Sequence, residues 1–328
     1  MAGASDDRAA HPNGARLDEV PDGLRLVPRA DRVSALRRAL DGPDPVLLPG
    51  ASDAMTARLI ERAGLPAMYM TGAGVANMQY GVADIGMIGL GEMADQLRRV
   101  AAAGTIPVIA DGDTGYGGPV QVMRTMREYE AAGAAGIQLE DQEMPKRCGH
   151  FDRKRLVPAE DMVGKIIAAR RARTDGTVIV GRTDALGVLG IDEAIRRGEL
   201  LVEAGVDVLF IEAPESEEQY VRIAEHFRGV PLVANVVEGA KSPQLTYERF
   251  AELGYRVILF ANLLNRVAAA AVRDAVAELV TARGSLGLRE RMLSWTERQD
   301  LVGLSRLDAV EDGIMSEALR HQLGKAPA

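Results

Sequence analysis

One cysteine in 328 residues permits no internal disulfide, so the chain is expected to be held by burial alone, in a reducing compartment such as the cytoplasm. Aromatic residues make up only 4% of it, too few for the stacking platforms of a single-stranded nucleic-acid binder. Positive charge is not in excess either. A net charge of -8 argues against nucleic acid or an anionic membrane as the main partner. No apolar run approaches the roughly 18 residues of a membrane helix, and the first residues lack the apolar core of a secretory signal. No GxSxG occurs, and PGASDAMT after the first strand is not GxGxxG. Both absences argue against a serine hydrolase and a dinucleotide-binding open sheet.

What is present is a rhythm. After a first segment, 1–30, read as a disordered or loosely docked extension, short apolar runs alternate with stretches of helical periodicity. The runs are PVLLPG (45–50), AMYMTG (67–72), PVIADGD (107–113), AGIQLED (135–141), VIVGRTD (178–184), VLFIEAP (208–214), PLVANVVEG (231–239) and RVILFAN (256–262). Strands separated by helices imply parallel pairing. Eight such units predict a (β/α)8 barrel over 31–283, followed by a helical tail over 284–328 whose apolar residues a neighbouring subunit could cover.

In a barrel, chemistry sits at the C-terminal ends of the strands. Here those ends carry Tyr69 and Thr71, Asp111 and Asp113, Glu140, Arg182, Glu212 and Asn235. Carboxylates crowded at one mouth repel one another and need a counter-charge. A hard divalent cation supplies it, Mg²⁺ taking one or two carboxylates directly and others through water. Asp111 and Asp113, two apart, can address one ion, although Asp-Gly-Asp is also an ordinary turn. Glu140 on the next strand strengthens the metal reading. Asp84, in the loop after the second strand, is either another outer oxygen or a helix cap. The loop after the fourth strand is longer than a routine connection and carries KRCGH, residues 146–150. A thiol flanked by Lys146, Arg147 and His150 can be held partly as thiolate, although most free cysteines are small buried hydrophobes. Gly149 allows close backbone approach to a ligand, and His150 taken singly reads as a hydrogen-bonding partner. Arg182 can grip a carboxylate bidentately, so the substrate is expected to be a small di- or tricarboxylate.

KRCGH, together with DGDTGYG, LEDQ and the turn TGAG, resembles the isocitrate lyase and phosphoenolpyruvate mutase superfamily over about residues 30–320. The resemblance implies Mg²⁺-dependent cleavage of a 2-hydroxy acid, with Mn²⁺ as the alternative ion. Asp111 and Asp113 would position the metal, and Asp84 and Glu140 would stand in its outer shell. Tyr69 would be the base at the 2-hydroxyl and Cys148 the acid at the departing carbanion. The amides of Thr71, Gly72 and Ala73 would hold the carboxylate of the product 2-oxo acid. Arg182, Glu212, Asn235, Gly149 and His150 would orient the leaving carboxylate, with Lys146 and Ser242 among the substrate-binding positions. The segment ANVVEGAKSPQLT departs from the TEFG of methylisocitrate lyases and resembles the alkylmalate-cleaving and carboxyphosphonoenolpyruvate mutase branch, and the tail WTERQDLVGL is similar to that branch. Carbon–phosphorus mutase chemistry and oxaloacetate hydrolysis are the alternatives. A catalytically silent barrel would have lost a metal carboxylate or the cysteine, and this chain keeps both. The family fold exchanges its eighth helix and assembles as a homotetramer, which is what the resemblance implies here.

Overall fold

A computed structural model describes residues 27–147, 149 and 154–323. Cys148, His150 and most of the predicted N-terminal extension lie outside the described residues. Val27–Arg283 form one compact unit, and the chain from Gly284 belongs to a second.

Eight strands appear where the apolar runs place them: β1 (Val46–Ala51), β2 (Met68–Met70), β3 (Val108–Asp111), β4 (Gly136–Glu140), β5 (Val178–Thr183), β6 (Val208–Ile211), β7 (Val233–Asn235) and β8 (Val257–Phe260). They pair in parallel in the order β6-β5-β4-β3-β2-β1-β8-β7, and a parallel Leu209–Leu232 bridge brings the two edges together. The result is a nearly closed α/β barrel ringed by helices. From β2 onward the predicted runs overshoot the strands at their C-terminal ends because the chain turns away early. Thr71, for example, already caps α3 (Gly72–Tyr80), its hydroxyl accepting from the Gly74 N–H at 3.2 Å.

Successive side chains of a strand face opposite ways, and the two cores divide accordingly. Leu48, Tyr69, Ile109, Val180, Phe210, Val233, Val257 and Leu259 pack together inside the barrel. Met68, Met70, Val108, Ala110, Ile137, Leu139, Ile179, Leu209 and Ile211 pack outward beneath the helices.

The first helix, α1 (Arg29–Leu40), begins inside the segment that the sequence assigned to the extension. Its Val33, Leu36 and Leu40 repeat at helical spacing and join the barrel's interior cluster, plugging the N-terminal end. Arg32 is buried with them and donates to the carbonyls of Ala101 (2.6 Å) and Gly104 (2.9 Å). The last barrel helix is α11 (Leu263–Ala282), which leaves Val267, Val272, Val276, Leu279 and Val280 exposed.

In the second unit, Leu286–Arg291 form a 3-10 turn, followed by α12 (Trp295–Leu301) and α13 (Leu304–Leu323). Ser294 caps α12, its hydroxyl accepting from the Glu297 N–H at 3.1 Å.

Candidate active site

The inward rows of the barrel change character at their C-terminal ends. Ile109 is followed two residues on by Asp111, Gln138 by Glu140, Val180 by Arg182, Phe210 by Glu212 and Val233 by Asn235. Period-two alternation thus delivers a ring of polar side chains onto a greasy floor. A cleft of about 510 Å³ opens there, lined by this ring with Tyr69, Thr71, Ala73, Asp84, Lys146 and Gly149. Val237, Leu259 and Ala261 add an apolar wall.

One side of the cleft is acidic. Asp111 is fixed at both oxygens, Oδ2 accepting from the Gly72 N–H and Oδ1 from the Asp113 N–H, each at 3.1 Å. The Tyr129 hydroxyl donates to the Asp111 carbonyl at 2.9 Å. Asp113 sits in the left-handed region at φ 47°, a strained position for a residue other than glycine. Gly112 before it is required, since a Cβ there would stand 2.6 Å from the Gln138 carbonyl oxygen. Lys146 lies between two of the carboxylates, paired with Asp84 and standing 3.0 Å from Asp113 Oδ1. Burial pushes the Asp113 carboxyl up to about 6 even against Lys146, with Asp111 and Asp84 repelling its negative charge. Burial also raises the Glu140 carboxyl well above its ordinary range, Arg182 opposing and Asp184 adding to the effect. Burial would lower the Lys146 ammonium, but Asp113 and Asp84 outweigh it and hold it well above its ordinary value.

The opposite side is built on Arg182. Its guanidinium donates to Asp184 from Nε (3.0 Å) and Nη2 (3.1 Å), lies 3.4 Å from Glu140 and 3.5 Å from Glu212, and stands 5.1 Å above the Phe210 ring. Asn235 Nδ2 donates to Glu212 Oε1 at 3.2 Å. Gly149 presses against both groups, so a Cβ there would meet Arg182 and would come 2.7 Å from the Glu212 carboxyl carbon. Burial raises the Tyr69 phenol well above 10, with Asp111 adding to the effect and Arg182 opposing it.

The donor set suits a hard cation. Asp111, Asp113 and Glu140 are all buried, and Glu140 Oε1 has no hydrogen-bond partner. Among the described residues no three His, Cys, Asp or Glu side chains form a closed cage. An ion placed there would take one or two carboxylates and keep several waters.

The structure brings together the predicted Tyr69, Thr71, Ala73, Asp84, Asp111, Glu140, Lys146, Gly149, Arg182, Glu212 and Asn235, with Asp113 beside them. Two of the three turn amides are engaged within the protein, that of Thr71 on the Ala51 carbonyl (3.3 Å) and that of Gly72 on Asp111. This leaves Ala73, in the first turn of α3 where N–H groups lack an intrahelical acceptor, as the amide placed to meet a ligand. Ser242 is buried but is not among the residues lining the cleft. Cys148 and His150 lie outside the described residues. Sequence reasoning did not single out Asp184 and Lys154, which stand behind Arg182, nor the apolar wall of Leu259 and Ala261. A second lysine in the loop after β4 was a visible signal for Lys154, but its partner lies 30 residues away.

A model described as phosphoenolpyruvate phosphomutase matches residues 36–280. The chain is 44% identical to a 2,3-dimethylmalate lyase of Eubacterium barkeri over 277 residues, 84% of this chain and 96% of that one. Among solved structures it resembles oxaloacetate acetylhydrolase in complex with 3,3-difluorooxalacetate (TM-score 0.82, 33% identity, 87% of this chain and 97% of that one). It also resembles a phosphonopyruvate hydrolase in complex with oxalate and Mg²⁺ (TM-score 0.77, 34% identity, 86% and 98%).

Proposed function

The chain belongs to the phosphoenolpyruvate phosphomutase family, in the isocitrate lyase superfamily, and from that premise we propose that it is a Mg²⁺-dependent carbon–carbon lyase. Its substrate on this reading is a 2-hydroxy di- or tricarboxylate of the 2-alkylmalate or 2-methylisocitrate type, cleaved to a 2-oxo acid such as pyruvate and a second carboxylate. The observation that carries the reading is that one cleft presents an acidic side with hard oxygen donors, a guanidinium side and an apolar wall. A chelating hydroxy acid suits the first, a remote carboxylate the second, and an alkyl substituent the third.

Asp111 and Asp113 would hold the ion, with Glu140 and Asp84 reaching it through water. When bound there, Mg²⁺ (or Mn²⁺) supplies Lewis-acid charge to offset the negative charge that cleavage develops. The chain's own part is orientation and proton handling. The Ala73 N–H meets the carboxylate that becomes the 2-oxo acid. Burial and its acidic neighbours keep the Tyr69 phenol protonated in the free protein; cationic charge added beside Asp111 would favour the phenolate, which takes the 2-hydroxyl proton as base. Cleavage of the C2–C3 bond leaves its electron pair delocalised into the departing carboxylate, which Arg182 faces and Asn235 flanks. On this reading Cys148 delivers the proton at C3, His150 and Gly149 serve to orient the leaving carboxylate, and Lys146 balances the acids. The lyase relative's alkylmalate substrate supports the choice of branch.

The exposed apolar face of α11 is the surface on which copies of the chain would pack into the proposed homotetramer. No described helix is long and apolar enough to cross a membrane. The deciding experiment measures 2-oxo acid release from 2,3-dimethylmalate, 2-methylisocitrate, ethylmalate, isocitrate and oxaloacetate, with Mg²⁺ or EDTA. Mg²⁺-dependent release from an alkylated substrate, abolished in Cys148→Ala, is expected. Turnover of oxaloacetate alone would reassign the site to hydrolysis, and silence across the panel would send the search to phosphonates.

A further inference from the structure

Lys154 retains only 8% of its surface exposed, yet it lines no part of the cleft. Its ammonium donates to the Gly149 carbonyl and, at 2.9 Å, to Asp184 Oδ1. Asp184 is fully buried and turns the same carboxylate on Arg182 through both oxygens, while its backbone N–H is pinned on Asp141 Oδ1 at 2.9 Å. The loop after β4 and the end of β5 therefore meet at one carboxylate, which also holds the guanidinium that faces the cleft.

The charge count explains why a lysine is needed there. Arg182 contacts three acids, Asp184, Glu140 and Glu212. A guanidinium so surrounded offers little attraction to a further carboxylate. Lys154 cancels the charge of Asp184 from the side away from the cleft. Burying a flexible ammonium costs desolvation and side-chain entropy that an apolar residue of similar volume would avoid.

We propose that Lys154 is a positioning residue that sets the anion-binding strength of the cleft: by neutralising Asp184 it leaves Arg182 electropositive toward the substrate, and by holding the Gly149 carbonyl it fixes the backbone against that guanidinium. The inference rests on the lyase reading of the site and names what makes the site select an anionic substrate.

The test compares wild type with Lys154→Met, Lys154→Arg and the double variant Lys154→Met/Asp184→Asn. Steady-state kinetics use the substrate that wild type cleaves. Calorimetric titration uses succinate, a dicarboxylate probe that needs no turnover, in the presence of Mg²⁺. Lys154→Met is expected to raise KM and weaken succinate binding about tenfold or more, with kcat changed less than about threefold. Lys154→Arg is expected to restore both to within about threefold. The double variant removes one positive and one negative charge, so it should bind succinate within about threefold of wild type. An unchanged KM in Lys154→Met overturns the inference, as does a double variant more than about tenfold weaker than wild type. If Lys154→Met does not fold, the double variant and Lys154→Arg decide the matter alone. Wild type silent on every hydroxy acid would sink the lyase reading while the succinate titrations still judge Lys154, and wild type blind to succinate would overturn the anion site with it.

Discussion

The two ends of the barrel are both polar, and they treat their polar atoms differently. At the N-terminal end Glu130 accepts from the Thr174 N–H (2.9 Å), the Thr174 hydroxyl (2.7 Å) and the Thr177 hydroxyl (2.5 Å), with Arg29 3.7 Å away. Asp207 pairs there with Arg37 and Arg173. Apart from Arg32 Nε, no polar atom named at that end is buried without a partner. At the C-terminal mouth, Glu140 Oε1 and Asn235 Oδ1 are buried without hydrogen bonds, and Asp113 adopts a strained backbone. Saturated groups stabilise, whereas unsaturated ones wait for something the protein does not itself supply.

Replacing a carboxylate at the mouth should separate the two behaviours most sharply. Asp111→Asn is expected to lower kcat/KM about a thousandfold or more, while the relief of one charge in a crowded acidic group offsets the loss of one accepted N–H and leaves thermal stability little changed. Kinetics and a melting curve on the same sample check it. A melting point lowered by many degrees would erase the contrast between the ends.

The reverse experiment is Glu130→Ala at the other end. It strands two hydroxyls and a backbone N–H, so a loss of about 2–4 kcal/mol in urea unfolding is expected, with kcat/KM within about twofold of wild type. A tenfold fall in kcat/KM with intact folding would show that the two ends are coupled.

The smallest expected effect is in pH. Burial alone would raise Asp184, but Arg182 and Lys154 outweigh it and bring it down to about 2. A depressed carboxylate contributes stability above its unfolded value, and that contribution is lost as pH falls toward about 2, on the order of 2 kcal/mol in all. Asp113, raised to about 6, has the opposite sign. The folded protein holds its proton where the unfolded chain does not, so stability declines as pH rises from about 4 to 6. Asp184→Asn should flatten the first limb and Asp113→Asn the second in pH-dependent unfolding. Limbs unaltered by these changes would assign the dependence to other groups.

The barrel was legible in the sequence because each strand is a short apolar run and five of the inward rows end in a polar residue at a fixed offset. Asp111, Glu140, Arg182 and Glu212 could be placed by that offset alone. The plug α1 was not singled out although Val33, Leu36 and Leu40 carry helical spacing, because it precedes the first strand and so stands outside the strand–helix alternation. Arg32 is in fact buried, its Nη1 and Nη2 donating to two carbonyls some 70 residues away. The pairing of Lys154 was illegible for a related reason: a buried ion pair formed across 30 residues leaves no local periodicity. The engagement of the Gly72 amide by Asp111 depends on how β2 and β3 lie side by side, which no spacing along the chain encodes.

Parallel register sets Glu140 beside Arg182 on β4 and β5. Because neighbouring side chains alternate between the wet mouth and the greasy shell, the strand behaves like a reading frame. One residue inserted within β4 would carry Leu139 into the cleft and thrust Glu140 among the aliphatic side chains beneath the helices. Substitutions can retune such a centre gradually, but a single-residue change in the length of β4 erases it at once.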